Sequence, residues 1–186
     1  MLIASGTTRP RRGVWFLWRQ ILELQVSEPS EPFSDEKHFA AVGRVASNWA
    51  YFEMVIDDWC MRIAGIEPNV GSCLCAQIMG SGRKMDAFIA ISNFLKANAT
   101  TIRELNKFTT DMNGLSEQRN RVVHDPWLVL PTAATRFELT AKRNLKLGPV
   151  QVPTEQVEEL ARKIERLRER FEKLAIDVQI QVKRVG

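Results

Sequence analysis

The stretch TEQVEELARKIERLRERFEKLAIDV, residues 154–178, decides the fold class. Its apolar side chains recur at steps of three and four residues, with charged residues between them: Val157, Leu160, Ile164, Leu167, Phe171, Leu174 and Val178. This spacing predicts a long helix with one apolar stripe, which starts at Pro153-Thr154. The stripe requires a partner helix, and the sequence leaves open whether that helix lies in the same chain or in a second copy.

A second long helix is predicted after the polar loop at residues 27–32. Ser34 offers an N-cap, and Asp35 and Glu36 fall in the first turn, where carboxylates complement the helix dipole. The helix is expected to end at Gly65. Its apolar stripe comprises Phe39, Val42, Ala46, Trp49, Phe52, Ile56, Trp59 and Ile63.

Shorter elements are predicted between and after these positions. We expect one helix over residues 72–79 and another that starts at GSGRK, residues 80–84, which lacks the spacing of a phosphate-binding P-loop. Thr101 and Glu104 have the spacing of a capping box, which opens a helix that ends at Asp125-Pro126.

The periodicity then changes to short alternating or β-branched segments at residues 127–130, 135–140 and 144–147, which predict a small hairpin or meander. The predicted fold class is therefore mainly all-α. It is an antiparallel bundle of about five helices, with a small β hairpin at about residues 127–148 before the last helix.

Composition and length indicate one globular domain. Of the 186 residues, 45% are hydrophobic and 26% are charged, unlike disordered, collagenous or membrane chains. No stretch approaches the roughly 20 apolar residues that span a bilayer, and the apolar run after the first arginines is too short for a signal sequence. The sequence therefore predicts a cytoplasmic protein with no membrane role.

The positive charge is concentrated at the N-terminus. The net charge is +4, and the arginines that account for it precede the first acidic residue, Glu23: Arg9, Arg11, Arg12 and Arg19. We predict a basic leader with a short amphipathic helix over residues 1–33, and a helical domain over residues 34–186. A basic leader alone can give a chain a high isoelectric point, so the isoelectric point is weak evidence for nucleic acid binding.

Cysteine and histidine are scarce. The chain has three cysteines and two histidines, and Cys73 and Cys75 have a C-x-C spacing that matches neither a zinc site nor a thioredoxin motif. We expect free or buried thiols in a reducing compartment, and no metal or cofactor. His38, near the start of its helix, is expected to be exposed.

The segment QRNRVVHDPW, residues 118–127, is the most informative for chemistry. Arg119 falls on the apolar stripe of its helix, and a buried guanidinium needs a carboxylate, a phosphate or a subunit interface as its partner. Asn120 and His124 are four residues apart and share a helix face. Histidine exchanges protons near neutral pH, and arginine neutralises the charge that develops on a phosphate. The segment therefore predicts an arginine, an amide and an imidazole that converge near one helix end.

The all-α frame and the R-N-x-x-x-H sequence of Arg119, Asn120 and His124 resemble the HEPN superfamily of nucleotide-binding domains, whose motif is R-x4-6-H. The earlier long helix, with W-x-x-x-E at Trp49 and Glu53, is similar to a helix of that superfamily. The resemblance covers about residues 35–180.

The resemblance implies a homodimer that cleaves RNA without a metal ion, in a cleft where the two motifs meet. The ribose 2′-hydroxyl attacks the neighbouring phosphate, which leaves a 2′,3′-cyclic phosphate and a 5′-hydroxyl. His124 would be the general acid or base, Arg119 would stabilise the developing charge, and Asn120 would orient one of them. Roles in toxin–antitoxin systems or antiviral defence are implied, with a protein antitoxin or regulator as partner.

Arg121, Lys142 and Arg143 are the expected RNA contacts. The predicted hairpin carries an excess of positive charge, which can hold an RNA backbone: Arg136, Lys142, Arg143 and Lys146 against Glu138. A solvated turn explains the same residues.

A structural alternative stays open. Arg119 would then pair with Glu53, while His124 occupies a helix C-terminus where a cation is favourable. The chain would be a catalytically inactive HEPN-like helical protein that acts as a binding or antitoxin-like partner, with the stripe at residues 157–178 as its contact surface.

Overall fold

The fold is that of a computed structural model, which describes residues 34–130, 133–140 and 145–183. The predicted leader at residues 1–33, together with Lys142 and Arg143, lies outside the described residues. The described ranges form five helices and three strands: α1 (Asp35–Ala64), α2 (Pro68–Cys75), α3 (Ser81–Phe94), α4 (Ala99–His124), β1 (Trp127–Leu130), β2 (Ala133–Thr140), β3 (Lys146–Gln151) and α5 (Thr154–Lys183). The predicted mainly α-helical fold with a small β element before the last helix is confirmed.

Helix α1 begins and ends where the local sequence predicts. The Ser34 side chain accepts a hydrogen bond from the backbone N–H of Lys37 at 3.3 Å. Gly65 has a φ of 65°, the left-handed conformation in which glycine commonly ends a helix. The buried face matches the predicted stripe from Trp49 onward but not at the start, where Phe39 is 48% exposed and His38 is fully buried.

His38 is buried because the sheet and α5 cover the start of α1, so the prediction that it is exposed is wrong. Its Nδ1 lies 3.1 Å from Oγ1 of Thr154 at the start of α5. Its ring centroid lies 4.5 Å from that of Trp127 in β1. Burial lowers the pKa of His38, while the nearby charge of Glu155 raises it.

Helix α2 begins and ends earlier than the predicted range of residues 72–79. The Glu67 side chain accepts a hydrogen bond from the backbone N–H of Val70 at 3.0 Å. Pro68 follows this cap, where its fixed φ suits the first turn and its missing N–H costs nothing. The start signal at Glu67-Pro68 therefore determines the position of α2.

Helix α4 begins at a different cap from the one predicted. The Asn98 side chain accepts a hydrogen bond from the backbone N–H of Thr101 at 2.8 Å, so Thr101 and Glu104 do not form a capping box. The hydroxyl of Thr101 instead accepts a hydrogen bond from Nε2 of Gln181 in α5 at 2.9 Å.

The apolar stripe of α5 packs within the same chain. Leu174 is half-buried, and the other members of the stripe are buried: Val157, Leu160, Ile164, Leu167, Phe171 and Val178. The stripe is therefore not available as a contact surface for another protein, so the surface predicted for the alternative function is wrong.

Contacts along α5 give the helix directions. Helices α1 and α5 are parallel. Successive residues along α1 contact successive residues along α5: Arg44 pairs with Glu158 at 3.2 Å, and Asn48 donates to the carbonyl of Ala161 at 3.2 Å. Helices α4 and α5 are antiparallel, because Asp111 pairs with Arg170 at 2.6 Å while the earlier residue Thr101 pairs with the later residue Gln181.

Phe171 lies at the centre of the core. Its ring centroid is 5.9 Å from that of Phe52 in α1, 5.1 Å from that of Phe88 in α3 and 5.7 Å from that of Phe108 in α4. All four rings are fully buried. Because aromatic rings bury large apolar areas and attract one another at these separations, this cluster joins the four long helices.

The β element is a three-stranded antiparallel sheet with strand order β1-β2-β3. Strand β3 spans Lys146–Gln151, so the sheet extends beyond the predicted limit at residue 148. Pro149 lies in β3 opposite Phe137. Since β3 is an edge strand, a residue without a backbone N–H is tolerated there.

The cysteines Cys60, Cys73 and Cys75 are free thiols, as expected, and only Cys73 is exposed. Burial raises the pKa of Cys60 to about 12, which keeps this thiol protonated. Among the described residues, no helix has both the length and the apolar character needed to cross a lipid bilayer.

Phe171→Ala should lower the free energy of unfolding by about 3–5 kcal/mol, because it leaves a cavity among three buried rings. Ile176→Ala, on the exposed side of the same helix, is the matched control and should change it by at most about 0.5 kcal/mol. Chemical denaturation at several protein concentrations measures both. A loss for Phe171→Ala no larger than that for Ile176→Ala would contradict the central position of Phe171 in the core.

The lowered pKa of His38 predicts a pH-dependent stability. Its folded-state pKa lies below the ordinary value of 6.5, so near that pH the unfolded chain binds more protons than the folded one. The contribution to stability is therefore complete above pH 6.5 and is lost as the pH falls through the folded-state pKa. We expect His38→Gln to flatten the decline in the free energy of unfolding between about pH 7.5 and pH 5.5. A decline equal to that of the unmodified chain would refute this assignment.

Candidate functional site

The candidate site lies at the C-terminal end of α4, where Asp125-Pro126 ends the helix. Asp125 has an extended backbone, with a ψ of 145°, as expected for a residue before proline. The indole N–H of Trp127 donates to the carbonyl of Val122 at 2.8 Å. The last turn of α4, which carries His124, is therefore tied to the first strand of the sheet.

Arg119, Asn120 and His124 come together there. Nη1 of Arg119 donates to Oδ1 of Asn120 at 2.8 Å and lies 3.4 Å from Nε2 of His124. Arg119 is half-buried, and Asn120 and His124 are exposed. The structure thus brings together the three residues whose convergence the sequence predicts.

The contact between Arg119 and His124 is a hydrogen bond in only one proton state of the imidazole. A guanidinium only donates hydrogen bonds, so Nε2 of His124 accepts one only when it carries no proton. The histidine is then neutral, with its proton on Nδ1. In this arrangement His124 presents a base beside a fixed positive charge.

Arg119 reaches the site across the ring of Trp49 in α1. Its Cζ lies 5.9 Å from the centroid of that ring, within the range of a cation–π interaction. Trp49 is 1% exposed, and its indole N–H donates to Oε1 of Glu53 at 3.1 Å.

Glu53 does not pair directly with Arg119, contrary to the structural alternative. The carboxylate accepts the hydrogen bond of the indole, and Arg119 stacks on the ring of the same residue. Among the described residues, Arg119 has no carboxylate as an ion-pair partner. Glu53 therefore contacts the motif only through Trp49.

The guanidinium of Arg119 is only partly satisfied. Its Nε is enclosed without a hydrogen-bond partner, although buried polar atoms are normally paired. Its Nη2 makes no hydrogen bond within the part of the chain that the structure describes. The arrangement leaves hydrogen-bonding capacity and positive charge beside His124, which suits an anionic ligand.

Arg121, an expected RNA contact, turns towards the sheet. Its Nη1 pairs with Oε1 of Glu138 in β2 at 2.8 Å. Glu138 also lies 3.9 Å from Nη2 of Arg136, and the other terminal nitrogen of Arg136 pairs with Asp125. The side chain of Arg136 is 8% exposed, so this arginine is a structural member of a charge network and not a contact for an RNA backbone.

A cleft of about 720 Å³ lies between α4, α5 and the sheet. Its charged lining residues carry both signs: Glu117, Arg121, Arg136, Glu155, Glu159 and Lys163. Arg119, Asn120 and His124 do not line it. The cleft and the motif therefore belong to different parts of the surface of α4.

The remaining sequence features have structural roles. GSGRK forms the start of α3, as predicted, and its Lys84 pairs with Asp57 of α1 at 2.5 Å. In the described ranges no group of three or more His, Cys, Asp or Glu side chains is placed to hold a metal ion.

Sequence reasoning missed the contact of Arg119 with Trp49. The signal was present as Trp49 and Glu53, four residues apart on one face of α1. This spacing could not show that α4 packs against α1 with Arg119 over the Trp49 ring. The pairing of Asp125 with Arg136 was also missed, because it depends on the register of β2.

Comparisons of the chain with protein-family models, with curated proteins and with solved structures give no match. The geometry of Arg119, Asn120 and His124 is therefore the basis on which a function can be assigned.

Arg119→Ala and Arg136→Ala should differ in stability. The first removes a cation–π contact and should lower the free energy of unfolding by about 0.5–2 kcal/mol. The second removes the buried partner of Asp125 and should lower it by about 3–5 kcal/mol. Chemical denaturation compares them. An equal loss would make Arg119 a structural residue and remove the basis of the candidate site.

Proposed function

We propose that the protein is a HEPN-like endoribonuclease that cleaves RNA by attack of the ribose 2′-hydroxyl, without a metal ion. The observation that carries this proposal is the contact of the Arg119 guanidinium with the His124 imidazole at the exposed end of α4. Asn120 binds the same guanidinium nitrogen. A positive charge beside a neutral base is the pair of groups that phosphate transesterification uses.

Each residue has a defined role in the proposed reaction. In the proposed reaction Arg119 turns from Nε2 of His124 to the phosphate, and this nitrogen then takes the proton of the 2′-hydroxyl as the hydroxyl oxygen bonds to phosphorus. Arg119 binds the non-bridging oxygens, where negative charge grows, and Asn120 holds Arg119 by its Oδ1. The bond from phosphorus to the 5′-oxygen breaks, and that oxygen takes a proton from a general acid. The products are a 2′,3′-cyclic phosphate and a 5′-hydroxyl.

The general acid is proposed to be the second copy of His124 in a homodimer. An imidazole that is neutral at the start of the reaction can accept a proton but has none to give to the leaving group. The leaving 5′-oxygen therefore needs a second group that is protonated at the start. Two motifs in one cleft supply both. Their exposed position on α4 is compatible with this assembly.

Arg121, Lys142 and Arg143 remain the proposed RNA contacts, and Arg121 would bind phosphate in competition with Glu138. On the HEPN resemblance alone, we place the activity in the cytoplasm, in toxin–antitoxin systems or antiviral defence, with a protein antitoxin or regulator as partner.

A binding function has one observation in its favour. A groove of about 600 Å³ lies between α1, α2 and α5, and exposed apolar side chains edge it: Tyr51, Met54 and Ile176. Exposed apolar surfaces of this kind often bind other proteins. This groove, and not the buried α5 stripe, is the surface that a catalytically inactive form would use.

Purified full-length protein in EDTA should cut RNA and leave cyclic phosphate ends. Arg119→Ala and His124→Ala are each expected to slow cleavage by at least about 100-fold, because they remove the charge stabiliser and the base. Asn120→Ala should slow it by about 10-fold, as the orientation of Arg119 is lost. Mapping of product ends on several structured RNAs measures the reaction.

Arg103→Ala and Asn106→Ala are the matched controls, since both side chains are exposed on the same helix. They should cut at the rate of the unmodified protein. Light scattering on the same samples gives the oligomeric state. A folded dimer that cuts none of the RNAs would exclude the nuclease and favour the binding function, and a strict monomer that cuts would exclude the two-motif cleft.

A further inference from the structure

We propose that Trp49 is a positioning residue for Arg119, and that Glu53 acts on the site through Trp49. The inference rests on the proposed function, because it concerns the same guanidinium. It assigns to α1 a part in a site whose reacting groups all lie on α4. Neither residue would touch the RNA.

Trp49 is fixed on two sides. Its ring packs edge-on against Phe52, with 5.6 Å between the ring centroids, and it is 1% exposed. The hydrogen bond from its indole N–H to Glu53 determines which way the ring turns in that space. The plane on which Arg119 lies is therefore set by both the core and one carboxylate.

Arg119 needs such a platform. A long arginine side chain on a half-exposed helix surface has many rotamers, and fixing them costs up to about 2 kcal/mol of conformational entropy. The ring of Trp49 limits the guanidinium on one side, and the contacts of Nη1 with Asn120 and His124 fix its rotation. The enclosed Nε has no hydrogen-bond partner, so the contact with the Trp49 ring is the interaction described on this side of the group.

Stacking also preserves the charge of Arg119 for a substrate. A direct ion pair with Glu53 would orient the guanidinium equally well, but it would neutralise the charge that a phosphate needs. In the structure the carboxylate is occupied by the indole N–H. The planar guanidinium lies on the aromatic face, which orients it without a counter-charge.

Variants of Glu53 test this arrangement and keep the buried ring. Glu53→Gln retains an acceptor oxygen for the indole and should keep most of the cleavage rate. Glu53→Leu removes the acceptor and should lower kcat by about 10-fold to 100-fold with little change in KM, because the reacting groups are misplaced while RNA binding is kept. Glu104→Leu, an exposed carboxylate on α4, is the matched control and should leave both constants unchanged.

A second readout does not depend on activity. Nuclear Overhauser effects between the Arg119 side chain and the Trp49 ring should be present in the unmodified chain and in Glu53→Gln, and absent in Glu53→Leu. Circular dichroism and denaturation show whether each variant is folded. If Glu53→Leu does not fold, Trp49→Phe, which keeps an aromatic face and has no indole N–H, replaces it and should weaken the same Overhauser effects.

The outcomes separate the two proposals. Absence of cleavage by the unmodified protein, together with the disappearance of the Overhauser effects in Glu53→Leu, would overturn the nuclease and support the positioning of Arg119. Overhauser effects that persist in a folded Glu53→Leu variant would overturn the role of Glu53. Cleavage in Glu53→Gln that falls as far as in Glu53→Leu would also overturn it, because the negative charge and not the hydrogen bond would then matter.

Discussion

The packing of Phe171 against Phe52, Phe88 and Phe108 is the constraint on which the rest of the structure depends. It fixes α1, α3 and α4 around α5 and so sets the register between α1 and α4. Trp49 lies one helical turn before Phe52 and packs on it. The platform under Arg119 is therefore an extension of the aromatic core, and the candidate site takes its geometry from that core.

The arginines near the end of α4 have two kinds of partner. Arg136 and Arg121 are paired with carboxylates and bind the end of α4 to the sheet. Arg119 contacts an aromatic ring, an amide and an imidazole, and it has no carboxylate partner in the described part of the chain. A paired charge contributes to the position of a helix end, whereas an unpaired charge remains available to an anion. The difference lies in the partners, since all three residues have the same chemistry.

Local signals predicted the long helices well, because caps and periodicity act within a few residues. Ser34, Gly65 and Asp125-Pro126 mark helix ends as expected, and Arg119, Asn120 and His124 converge because they fall within two turns of one helix. Signals that depend on distant partners were not predictable. His38 is buried by Thr154 and Trp127, which are far along the chain. The contact of Arg119 with Trp49 depends on the packing of two helices. At the start of α4, two local signals competed, and Asn98 prevailed over Thr101.

The chemistry of the site bears on the number of copies that it needs. The contact of Arg119 with His124 is a hydrogen bond only when the imidazole is neutral, and a neutral imidazole acts as a base. Transesterification of RNA needs both a base and an acid, since one proton leaves the 2′-hydroxyl and another reaches the 5′-oxygen. The other histidine of the chain, His38, is buried under the sheet and cannot meet a substrate at this surface. A nuclease built on this motif therefore needs a proton donor from beyond His124 of one copy, and the exposed position of the motif at the end of α4 is where a second copy could supply it.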